Sequence, residues 1–199
     1  MSVVTIPLFP LSQPLFPDSL MQLRIFEVRY LHMIKQCQKE NLPFGVVALR
    51  GGEEVQRPGI EESIQTVGCL AHLIDVVQMQ QGLLFVQCKG GQRFHVQANE
   101  RGAFGLWHAQ VVPKSEDIAT DIPPDLQPIA DKLGALIANA QKQGAEGQLP
   151  LTRPYRLDEC GWVANQWAML LALNGQEKTA LLSEDDPLTR LTMIKLLLA

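Results

Sequence analysis

The chain has 199 residues, 46% of them hydrophobic and 19% charged, with a formal net charge of −4. That length holds one large domain or two small ones, and the apolar share supports a packed core. The acidic balance argues against a general nucleic-acid binder, which needs clustered Lys and Arg, and no stretch approaches the roughly 20 apolar residues of a membrane-crossing helix.

In chain order, Val3–Leu8 reads as a first strand that ends at Pro7 or soon after. Pro7, Pro10, Pro14 and Pro17 fix φ and remove backbone donors, so neither a long helix nor a central strand is expected through Leu8–Pro17. Leu11–Asp18 is then a rigid extended connection with Leu11, Leu15 and Phe16 as apolar pegs. Met21, Leu23 and Ile25 alternate with Gln22 and Arg24, the period of a half-buried strand over Leu20–Phe26. From Glu27 the period becomes helical, with Tyr30, Met33, Ile34 and Cys37 on one face. Glu27 suits the first helical turn and Lys39 the last.

Phe44–Leu49 is the next strand, followed by a polar, exposed loop over Glu53–Glu62. Val67–Val77 reads as one bent strand. Gln80–Gly82 turns the chain, and Leu83–Lys89 pairs back as a hairpin. Gly90-Gly91 reads as a further tight turn into Arg93–Gln97, and Leu106–Val112 is the last strand. Short strands joined by Gly turns predict a small barrel or twisted sheets, with the Glu27–Glu40 helix plugging one end. Residues 114–124 are polar, acidic and Pro-containing, the composition of a linker. Beyond them Ala and Leu dominate, and helices are expected over Leu126–Gln143, Asp158–Ala172, Gln176–Leu182 and Pro187–Leu198. Asp186 before Pro187 has the pattern of an N-cap.

The order of parts in the first segment carries more than secondary structure. Pro7–Leu11 (PLFPL), Leu15–Asp18 (LFPD) and Leu23–Tyr30 (LRIFEVRY) follow one another into a helix. This order resembles the opening of the Lon protease N-terminal, or Lon substrate-binding, domain family. Asp18 departs from the glycine commoner at that turn. Pro43–Leu49, Val67–Ala71 and Leu83–Val96 resemble the strands that follow. The runs Trp162–Trp167 and Leu181–Leu191 resemble the helical part of stand-alone members.

The resemblance implies an α+β fold: an N-terminal PUA-like β pseudo-barrel with one inserted helix over 1–113, a linker over 114–124, and an α-helical bundle over 125–199. It implies a non-catalytic module that binds protein or unfolded peptide segments, with Lon or another protease as a possible partner. The alternatives are a PUA-like small-molecule or RNA-binding protein, and a homo-oligomeric adaptor that regulates Lon. Nucleic acid and membrane are disfavoured.

Full-length Lon also carries a phosphate-binding loop and a serine–lysine pair. Neither pattern occurs here, so no catalytic residue, cofactor or metal is expected. His32, His72, His95 and His108 are isolated, and satisfied histidines outweigh a metal site. Cys37, Cys69, Cys88 and Cys160 lack CxxC spacing and read as buried free thiols. Together with the absence of a basic-then-apolar signal segment, that points to a bacterial cytoplasm. Candidate partner-contacting residues are Leu15, Phe16 and Trp162, with Trp162 and Trp167 on different helix faces. Pro7, Phe9, Pro10, Arg24, Phe26, Glu27, Arg29, Tyr30, Gly91, Arg93 and Phe94 carry the resemblance and read as structural, with Arg24 or Arg29 pairing Glu27.

Overall fold

The structure is a computed structural model and describes residues 3–198; the ends of the two expected domains at 1, 2 and 199 lie outside it. Six strands form one sheet: β1 (Val4–Leu11), β2 (Leu20–Ile25), β3 (Phe44–Gly51), β4 (Ser63–Gln80), β5 (Leu83–Arg101) and β6 (Trp107–Pro113). Helix α1 (Val28–Glu40) lies between β2 and β3. Helices α2 (Gln127–Lys142), α3 (Cys160–Leu170), α4 (Gly175–Ser183) and α5 (Pro187–Leu197) complete the chain. The strand order is β2-β5-β4-β3-β1-β6, and β6 pairs back onto β5. Five strands therefore close into a barrel, and β2 flanks β5 outside it. This is the expected α+β architecture.

Side chains alternate across β1. Ile6 and Leu8 join Val47, Phe94, Val96 and Val111 inside the barrel. Phe9 and Leu11 point the other way, onto Tyr30, Met33 and Ile34 of α1. Phe9 and Tyr30 have ring centroids 4.1 Å apart, so the first strand and the inserted helix share one aromatic contact.

Contrary to expectation, the prolines do not end the first strand. β1 runs through both Pro7 and Pro10, with neighbours on both sides. The ladders explain why. β6 pairs with Val4–Leu8 and β3 with Leu8–Leu11, so only Leu8 is in register with both. Each proline has one unpaired side on which a missing N–H removes no ladder bond.

Gly90-Gly91 is also not a turn. It lies inside β5, at a shift in the β4–β5 register. The glycines allow close approach. A Cβ on Gly90 would lie 1.9 Å from the Phe16 carbonyl oxygen, and one on Gly91 would lie 2.5 Å from His72 Nε2. The proline segment docks there through Asp18 N–H to Gly90 O and Gly90 N–H to Ser19 O, both 2.9 Å. Gly90→Ala must displace this backbone. We expect it to lower stability by about 2 kcal/mol, the usual scale of overpacking. Gly147→Ala, which meets nothing within 4 Å, is expected to change stability by less than ~0.5 kcal/mol. Urea unfolding of the two variants checks the contrast.

Asp18 adopts φ 60, the left-handed conformation a glycine would take, so the turn is kept despite the substitution. The helical half starts and stops as its capping residues dictate. Asp186 caps α5 by accepting from the N–H groups of Leu188 and Thr189. Asn174 and Glu177 form a capping box on α4. Glu27 is the N-cap of α1 rather than part of its first turn.

The halves are packed together. Phe16 belongs to the helical core, beside Leu133, Val163, Leu182 and Leu191. Ser19 Oγ donates to Gln166 Oε1 at 3.0 Å, and Leu20 N–H donates to Pro150 O at 2.9 Å. Residues 114–124 carry no helix and one isolated bridge, Asp121 to Glu159, but they do not hang free. Lys114 N–H donates to Arg93 O, and Thr120 O accepts from Cys160 N–H.

Candidate functional site

The barrel wall has a gap. Helix α1 ends at Glu40, Asn41 closes it in the left-handed conformation at φ 53, and β3 begins only at Phe44. The β1–β3 ladder therefore starts at Leu8 with Gly45, and Val4–Pro7 have no strand on that side. A cleft of about 420 Å³ opens along this free edge. Met33, Cys37 and Glu40 of α1 form one wall, and Leu70, Phe94 and Val111 of the barrel form its depth. Its surface is mainly apolar. Burial, then the nearby Glu40 charge, pushes the Cys37 thiol up to about 11, so Cys37 is a neutral wall and not a nucleophile. At the rim, the one side-chain hydrogen bond of Glu40 among the described residues comes from Gln36 Nε2 at 3.4 Å.

A second cleft, of about 470 Å³, lies between the halves and is polar. Several of its charges are paired within the protein. Asp18 pairs with Lys89 at 2.8 Å and also with Arg156. Asp117 lies between two buried guanidinium groups, 2.8 Å from Arg93 and 2.6 Å from Arg190. Burial and the neighbouring Arg190 lower the Arg93 pKa, and Asp117 and Asp185 oppose that shift. Arg93 also donates to the carbonyls of Leu182 and Glu184, which fastens β5 to the end of α4.

A third feature is an exposed aromatic surface at the other end of α1. Phe26 is 53% exposed and Phe104 is 68% exposed. Phe104 has φ 56, a strained conformation for a bulky residue, and stacks with His32 at 5.9 Å. Beneath it, buried Arg29 meets Glu62 at 2.8 Å and 3.3 Å and donates to Gly105 O at 3.2 Å. Trp107 Nε1 donates to Glu62 at 2.8 Å. This network holds the 103–105 turn and the end of the 52–62 loop to α1.

The residues singled out by sequence fall in different places. Leu15 and Phe16 are fully buried and offer no surface to a partner, while Trp162 is 2% exposed at the wall of the polar cleft. Leu15 fills the core between α1 and the sheet, and Phe16 and Trp162 fill the helical core, because the proline segment folds inward between the halves. Trp162 and Trp167 both lie in that core, and Trp167 Nε1 donates to Ile129 O at 3.0 Å. Phe9, Tyr30 and Phe94 are buried. Phe26, a motif residue, points outward instead. Arg29 pairs with Glu27 at 3.2 Å, and Arg24 is exposed in β2. Pro7 lines the apolar cleft, Gly91 lines the polar one and Arg93 borders both; Pro10 lies in the β3 ladder.

Glu62 was not visible in the sequence as a site residue. It closes a polar stretch and its partner is 33 positions away. His72 and His95 lie opposite Lys89 and Val67, well apart along the strands. Among the described residues no group of three or more His, Cys, Asp or Glu is placed to hold a metal ion, and no helix is long and apolar enough to cross a membrane. All four cysteines are free and buried. Burial raises the thiol pKa of each, that of Cys88 to about 12.

A five-stranded barrel clasped to a helical bundle, with an apolar cleft at an open strand edge, defines a mixed α/β domain. The chain belongs to the ATP-dependent protease La (LON) substrate-binding domain family, whose model matches residues 5–199. Its fold is similar to the crystal structure of a Lon N-terminal domain protein from Xanthomonas campestris. The TM-score is 0.74 at 26% sequence identity, over 96% of each chain. It is also similar in fold to the N-terminal domain of the Mycobacterium avium complex Lon protease, with a TM-score of 0.64 at 16% identity over 96% of each chain. No curated protein sequence matches the chain.

Proposed function

We propose that this domain is a non-catalytic module that binds extended or unfolded protein segments. The family supports a substrate-binding role. The observation that carries the reading is the apolar cleft beside the unpaired edge of β1, because a free strand edge next to apolar pockets is how folded domains take up extended chains. Burial of Cys37 and the ion pairs of Arg29, Arg93 and Asp117 give these groups structural roles, which supports a non-catalytic module. The four free thiols support a reducing, cytoplasmic setting. Reduced and carbamidomethylated α-lactalbumin, labelled with fluorescein, is a suitable unfolded client. Titration with this protein is expected to raise its anisotropy saturably. The native, disulfide-bonded lactalbumin is expected to give no rise, and equal behaviour of the two forms contradicts the reading.

A further inference from the structure

The prolines of β1 fix what the open edge presents. Residues of a strand direct their N–H and C=O to alternate sides. Pro7 and Pro10 are an odd number of residues apart and therefore face opposite ways. The arrangement in which neither removes a ladder bond turns Pro10 toward the β6 side, beyond the end of that ladder at Leu8. Pro7 then faces the open side, before the β3 ladder begins. Thr5, two residues from Pro7, shares its direction, so its N–H and C=O face the cleft. One donor and its neighbouring acceptors on a free edge match the main chain of an added strand, and the cleft depth at Leu70, Phe94 and Val111 matches one large apolar side chain.

The rim adds a charge preference. Arg93 borders the cleft, but its guanidinium is committed to Asp117 and to two carbonyls. Glu40 carries no ion pair among the described residues and is the carboxylate beside the opening. Its field reaches the cleft wall, since it contributes to the raised Cys37 pKa. We propose that the β1 edge at Thr5 takes an extended peptide segment by strand addition, with one large apolar side chain in the cleft and a Lys or Arg next to it against Glu40. This rests on the protein-binding reading above and gives it a site and a sequence preference.

The test uses two short blocked peptides that differ only in the residue after a central phenylalanine, lysine in one and glutamate in the other, flanked by alternating valine and serine. The wild-type domain is expected to prefer the lysine peptide by roughly fivefold, the scale of an exposed ion pair set against a like-charge contact. Glu40→Lys, at an exposed helix end, is expected to reverse the preference. Thr5→Pro, which strips the edge donor, is expected to abolish binding of both peptides while circular dichroism shows the fold unchanged. If Thr5→Pro unfolds the domain, the Glu40→Lys reversal alone decides. A preference that does not respond to Glu40→Lys overturns the proposal. Unfolded lactalbumin separates the two readings. If it binds wild type and Glu40→Lys alike and neither peptide binds, the seam is wrong and the protein-binding reading stands. If nothing unfolded binds at all, both fall.

Discussion

Asp117→Ala is expected to destabilise the domain by about 3 kcal/mol, at the lower end of the range for breaking a buried ion pair. Arg93 and Arg190 are 3% and 0% exposed, and Asp117 is the carboxylate that both contact. Its removal leaves two buried guanidinium groups facing each other. Their remaining bonds to the carbonyls of Leu182 and Glu184 soften the loss but supply no negative charge. The effect also has a location. Arg93 sits on β5, Asp117 on the segment between the halves, and Arg190 on α5, so the variant loosens the helical half from the barrel. Asp185→Asn is the control. Asp185 also approaches Arg93, at 3.5 Å, but is 71% exposed, and its loss is expected to stay within ~0.5 kcal/mol. Urea unfolding followed by tryptophan fluorescence measures both, since Trp162 and Trp167 report the helical core. Equal midpoints for the two variants contradict the account.

Glu62→Ala is expected to cost a similar amount, about 3 kcal/mol, because it leaves buried Arg29 with Glu27 as its remaining carboxylate and takes the acceptor from Trp107 Nε1. Replacing both partners by apolar residues, Arg29→Met with Glu62→Leu, is expected to recover most of it. This site also predicts an acid dependence. Burial alone would raise the Glu62 pKa, but hydrogen bonds from Arg29 and Trp107 outweigh it and hold the carboxylate below its ordinary value of 4.5. A carboxylate lowered in the folded state contributes fully above the unfolded value. That contribution disappears as pH falls through the folded value. The stability gap between wild type and Glu62→Ala should therefore be constant from neutral pH down to about 5 and narrow below 4.5. A gap that widens in acid contradicts this assignment. The same variant is expected to release the 103–105 turn that displays Phe104.

Much of the fold was legible because its determinants are local. The alternation of Met21, Leu23 and Ile25, the helical spacing of Tyr30, Ile34 and Cys37, and the Asp186-Pro187 cap each act within a few residues. The rest depends on residues that answer to a distant partner. Pro7 and Pro10 look like strand breakers until β3 and β6 are seen to overlap only at Leu8. Gly90 looks like a turn until the Phe16 backbone is placed against it, 74 positions away in sequence. Leu15 and Phe16 look like surface pegs on a rigid loop, but Leu15 is buried between α1 and the sheet, and a helical bundle more than 100 positions downstream buries Phe16. The cleft itself is a property of ladder lengths. It exists because β1 starts four residues before its β3 partner, which no window of sequence displays.

On the proposed function, the free edge of β1 and the adjoining apolar cleft take an extended segment of another protein. Hydrogen exchange on the domain with and without unfolded lactalbumin reads this directly. The amide of Thr5 is expected to exchange freely in the unbound domain and to slow on binding, together with amides at the end of α1 near Glu40. Protection confined to the Phe26 and Phe104 surface, or an unchanged exchange rate at Thr5 under saturating client, contradicts it.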